Sequence, residues 1–212
     1  MLKTIFNKKQ LIFILIISSA FYFNSCIFVK PKTQVEEEVT IEMLQKPQIE
    51  MNDEALRSPR GDMICLIPKG WFFTDLSDDT PKDVFAIAVN PEYTLSIVFS
   101  SYQSNEMLED IYKQQHMIGL ANASFDRKQK RTGGSLIKFD KIYTINSNNL
   151  EFAIYHYRTR TQPLNAFTAI FKSSMNIIYE VTIIPMNLSG ITLPTEDEMN
   201  KIFNSIISTI RY

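Results

Sequence analysis

Between Leu136 and Pro185 four apolar, β-branched and aromatic runs follow one another with almost nothing between them: Leu136–Ile145, Leu150–Arg160, Leu164–Lys172 and Ile177–Pro185. Their connections, Asn146–Asn149, Thr161–Pro163 and Ser173–Asn176, are three or four residues long. Connections that short turn a strand back beside its neighbour, because a parallel pair needs a crossover of roughly a dozen residues. An antiparallel sheet is therefore required before any other element is placed. Asp62–Ile67, Val84–Val89 and Thr94–Ser100 extend it, punctuated by Pro68-Lys69-Gly70 and by an Asn90-Pro91-Glu92 turn.

Two helices complete the pattern. Glu106 to about Gly119 places Met107, Leu108, Ile111, Gln115 and Ile118 near one stripe, with Gly119 as terminator. Near the C-terminus, Thr195-Glu196-Asp197-Glu198 has the spacing of a capping box, in which the threonine and Glu198 satisfy each other's backbone N–H groups. Met199, Ile202, Phe203, Ile206, Ile207 and Ile210 then fall on one face, suited to cover a sheet. The expected fold class is α+β: a largely antiparallel sheet of about six to seven strands, packed by a middle and a C-terminal helix as an α/β/α sandwich.

The N-terminus follows a different logic. Lys3, Lys8 and Lys9 precede an apolar stretch from Leu11 to Phe23, and Ser25 stands directly before Cys26. Thirteen residues suit a signal h-region and fall short of the ~20 that span a bilayer as a helix. This order resembles a bacterial lipoprotein signal. The resemblance implies removal of residues 1–25 and acylation of Cys26, with the outer membrane favoured because Ile27 follows. Continuation to Val29 gives 19 residues, so an uncleaved signal-anchor is the alternative.

Of 22 basic groups, removal of the three leader lysines leaves 19 against 23 acidic ones, a net charge of about −4. That balance excludes nucleic acid as the expected partner, and a covalent anchor rather than lipid charge would have to hold the chain at a bilayer. Residues 26–60, with Lys30-Pro31-Lys32 and Glu36-Glu37-Glu38, read as a lipidated N-terminus and flexible tether, and 61–212 as one globular domain.

The Ile67-Pro68-Lys69-Gly70-Trp71 segment after the first strand, the middle helix, the hairpins and the closing helix together resemble the PsbP-like fold family over roughly residues 60–212. The resemblance implies assembly or binding factors rather than enzymes, and brings no functional residue with it.

Candidate chemistry is sparse. His116 and His156 have no neighbouring Cys or acid at metal-ligand spacing, so neither metal nor cofactor is expected. Thr132-Gly133-Gly134-Ser135 lacks the lysine of a phosphate loop, and no G-x-S-x-G elbow occurs. Asp75, Asp78, Asp79 and Asp83 form an acidic loop without the alternation of a calcium loop. Cys65 reads as a buried hydrophobe. Arg127, Lys128, Lys130 and Arg131 form a basic run expected in a solvated connection, and Tyr155 and Tyr157 share one strand face, opposite Phe152, Ile154 and His156. If that face is open, these six residues furnish a patch for a ligand or partner. The expected function is a membrane-anchored, non-enzymatic binding or assembly module of the bacterial envelope. It would meet the bilayer through acylated Cys26 and act on an envelope protein. An envelope hydrolase using the loop carboxylates is the alternative.

Overall fold

The computed structural model describes residues 40–43, 46–159, 165–186, 188 and 190–211. Cys26, the leader, the expected tether up to residue 39 with residues 44 and 45, and the 161–163 connection lie outside the described residues.

Among the described residues, ten strands and two helices form the domain. In chain order they are β1 (Thr40–Met43), β2 (Met51–Arg57), β3 (Ile64–Pro68), β4 (Phe72–Phe73), β5 (Val84–Val89), β6 (Leu95–Gln103), α1 (Glu106–Arg131), β7 (Leu136–Ser147), β8 (Leu150–Thr159), β9 (Ala166–Lys172), β10 (Ile177–Pro185) and α2 (Glu196–Thr209). The main sheet has the order β1-β7-β8-β9-β10-β6-β5-β4, and β2 pairs with β3 separately. Seven of its strands run antiparallel, and only β1 lies parallel to its neighbour β7. The α+β class with its antiparallel sheet and two covering helices is thus as the sequence requires.

Alternation along the strands divides the sheet's chemistry. Val181, Ile183, Phe167, Ile97 and Phe99 share one face, where α2 lies with Phe203 5.9 Å from the Phe167 ring. The other face carries Glu180, Thr182, Thr168, Ser100 and Tyr155, beneath α1. The capping box is present: the Glu198 N–H donates to Thr195 Oγ1 at 3.3 Å, and the Thr195 N–H donates to Glu198 Oε2 at 2.8 Å. At the far end of α2, Asn148 Nδ2 in the β7–β8 turn donates to the Ser208 and Ile210 carbonyls at 2.9 and 3.2 Å. These are carbonyls that a helix leaves without an internal partner.

Three expectations are corrected. The stretch read as tether up to residue 60 contains β1 and β2, and β2 is ordered by pairing with β3 through Leu56↔Cys65 and its neighbours. Gly119 does not end the middle helix, which continues to Arg131. Gly119 lies buried inside it, where a Cβ would sit 2.6 Å from Gln115 Cβ and 2.7 Å from Ile111 Cγ2. That close approach follows a kink at His116, whose φ of 51° and ψ of −145° join two helical segments. The third correction concerns Arg127 to Arg131, which form the last turns of α1 rather than a solvated connection. There their charges face the negative end of the helix dipole.

Candidate functional site

The basic run and the two tyrosines meet in space, but not as an open patch. Tyr155 is 0% exposed, and its hydroxyl lies 2.7 Å from Ser124 Oγ on α1. Burial pushes its phenol upward, and pushes that of Tyr157, which is partly buried, up to about 12. Arg127 and Lys128 turn toward the sheet. Arg127 Nη2 donates to Glu180 Oε1 at 2.6 Å, Lys128 engages Glu180 Oε2, and the Tyr102 hydroxyl donates to Oε1 at 3.0 Å. The Arg127 guanidinium lies 3.6 Å over the Tyr102 ring. Burial alone would raise the Glu180 carboxyl, but the Lys128 and Arg127 charges outweigh it and hold the group below its ordinary range. Arg131 reaches Asp83 at 3.0 Å, while Lys130 is exposed. The expected patch is therefore a clasp that fastens α1 to β10. The sequence hides it because Glu180 stands more than fifty residues from both cations.

A second network forms around Asp62, which is partly buried. Its carboxylate accepts from Tyr179, from Ser58 at 3.1 Å and from Ser173 at 2.8 Å. Burial raises its pKa, but the three hydroxyl donors bring it below the usual carboxylate value. It ties the start of β3 to the β9–β10 hairpin. Cys65 is fully buried, and burial pushes its thiol up to about 12.

The acidic loop does not converge. Asp83 is drawn to Arg131 and Arg127, whereas Asp75, Asp78 and Asp79 are exposed. His156 is wedged 4.3 Å from the Phe167 ring, with Nδ1 3.8 Å from Asp140, and desolvation lowers its pKa. His116 sits exposed at the helix kink. Among the described residues no group of three His, Cys, Asp or Glu side chains is placed to hold a metal ion.

Two surface features remain. At the sheet edge, β4 is only two residues long and leaves both of them exposed. Phe73 is 45% exposed and Tyr93 49%; Phe72 meets the Tyr93 ring edge-on at 5.7 Å, and Leu76 is exposed nearby in sequence. Elsewhere, a cleft of about 370 Å³ opens between α1 and the turns following β7 and β9. Tyr112, Met117, Leu150 and Lys172 line it, together with Asn149, Glu151, Ser173, Ser174 and Asn176.

The domain has a PsbP-like fold. Its architecture is similar to the solution structure of cyanobacterial PsbP (CyanoP) from Synechocystis sp. PCC 6803, with a TM-score of 0.56 and 10% identity over 75% of this chain and 92% of that one. A protein from Bacteroides thetaiotaomicron superposes at a TM-score of 0.40 and 13% identity, over 74% of this chain and 47% of that one. No family model and no curated sequence matches the chain.

Proposed function

We infer that the chain is a non-enzymatic binding or assembly module of the bacterial cell envelope, lipid-anchored through Cys26 at the outer membrane. In this reading the β4 edge engages an envelope protein. The observation that carries it is the exposed cluster of Phe72, Phe73, Leu76 and Tyr93 on and beside a two-residue edge strand. Large aromatic side chains left in water gain from burial at about 25 cal/mol per Å² of apolar surface, and an edge strand offers unpaired backbone groups to a partner. Carboxylate hydrolysis, by contrast, needs two converging acids, and Asp83 is tied to Arg131 away from its exposed loop neighbours.

Two measurements test the proposal. Intact mass of the membrane-extracted protein should lack residues 1–25 and carry acyl groups, and Cys26→Ala should release or misprocess the chain. Retention of residues 1–25 overturns the anchor. A photoreactive residue at Phe73 should crosslink in cells to one defined envelope protein, and Tyr93→Ser should abolish that adduct. An identical adduct pattern from a photoreactive residue at exposed Lys130 overturns the edge as the contact surface.

A further inference from the structure

The cleft between α1 and the hairpin turns is shaped by features that the fold alone does not require. The break at His116 swings the helix so that Met117 is buried toward the cleft while Tyr112, one turn earlier, stands in its wall. Gly119 permits the two segments to close on each other, since any Cβ there would collide with Ile111 and Gln115. Met117 and Leu150 give the cleft an apolar floor.

The rim is polar and has spare capacity. Asn149 and Asn176 hold turn positions at φ 63° and 59°, where asparagine is tolerated, and their carboxamides make no hydrogen bond among the described residues. The Ser174 hydroxyl is likewise unengaged. Each carboxamide offers both an acceptor and donors.

Charge decides the ligand class. Lys172 is the cation in the wall, but its Nζ donates to Glu109 Oε2 at 2.7 Å and lies 4.6 Å over the Tyr112 ring. Its charge is thus already matched, and Glu151 adds a carboxylate to the lining. Among the described residues lining the cleft, an anion finds no free cation. The volume falls at the low end of the roughly 300–1,000 Å³ typical of small-molecule sites. An apolar floor of Met117 and Leu150 beneath the carboxamides of Asn149 and Asn176 and the Ser174 hydroxyl matches a pyranose ring, which has a C–H face and hydroxyls around its edge.

The geometry points to a binding site for a neutral saccharide in this cleft, with Met117 and Leu150 against the ring's C–H face and Asn149 and Asn176 on its hydroxyls. The test uses the full chain, methionine-methyl labelled, in a detergent without a sugar headgroup. Glucose, galactose, mannose and N-acetylglucosamine are titrated separately, with acetate and inorganic phosphate as anion arms. At least one saccharide should move the Met117 methyl resonance saturably, and neither anion should. Asn149→Gly and Asn176→Gly keep the positive φ while removing the carboxamide, so each should weaken binding at least fivefold with the melting temperature retained. The inference is overturned if no saccharide moves that resonance at tens of millimolar, if phosphate or acetate moves it instead, or if the double Asn→Gly variant binds as the parent does.

Discussion

Replacing Glu180 by Gln leaves the side chain's shape and removes its charge. Arg127 and Lys128 then face the sheet without their shared counter-ion. Removing one partner of a fully buried pair costs about 3–5 kcal/mol. Here the two cations are 26% and 19% exposed, and Arg127 keeps Asp83 at 3.7 Å, which places the cost at the lower end. At ~3 kcal/mol, a domain of this size should lose roughly 6–12 °C in melting temperature. The acid limb provides a second readout. Because the Glu180 carboxyl is held below its ordinary 4.5, its contribution is fully present above that pH and is lost as pH falls through the folded value. Parent and Glu180→Gln should therefore differ at neutral pH and converge in acid. The triple change Glu180→Leu, Arg127→Leu and Lys128→Met should recover most of the loss, since apolar replacement of a buried ion cluster is often neutral or stabilising. Urea unfolding at neutral and acidic pH measures all three. A loss below about 1 kcal/mol for Glu180→Gln, or a triple variant less stable than the single one, refutes the view of this network as a desolvated ionic clasp.

Three other outcomes are expected. Gly119→Ala should lower stability by about 1–3 kcal/mol despite alanine's better helix propensity, because its Cβ enters space held by Ile111 and Gln115; calorimetry showing stabilisation would contradict the close approach. His116→Gly should stabilise the domain, by about 1 kcal/mol or more, since glycine adopts a φ of 51° without the steric cost borne by a side chain; a lower melting temperature contradicts this. Cys65, its thiol pushed up to about 12, should resist iodoacetamide in the native protein and react only after denaturation, as read by mass; rapid native labelling argues against its burial.

What the sequence discloses here is mostly local. Short connections enforced the hairpins, period-two alternation put Tyr155 opposite Phe152 and Ile154, and the Thr195–Glu198 spacing marked the start of α2. What it conceals depends on distant partners. Gly119 reads as a helix stop because the signal is local, whereas its real role is set by Ile111 and Gln115 across a kink. Arg127 and Lys128 look solvated until Glu180 arrives from β10. Met51–Arg57 is too polar to announce a strand, and forms one only because β3 lies beside it. The cleft was invisible for the same reason, since its wall and rim come from three separated segments.

The position of β1 has a consequence for how such a domain transmits attachment. The chain enters the sheet at β1, and β4 is at the opposite margin of the same eight strands. With neighbours ~4.8 Å apart, the two margins are separated by roughly 34 Å along the sheet. A tether pulling from upstream of Thr40 would load one border, while a protein seated on Phe73 occupies the other. Under the proposed anchoring and docking, the hydrogen-bonded ladder between the two borders would carry tension crosswise and set the standoff between them.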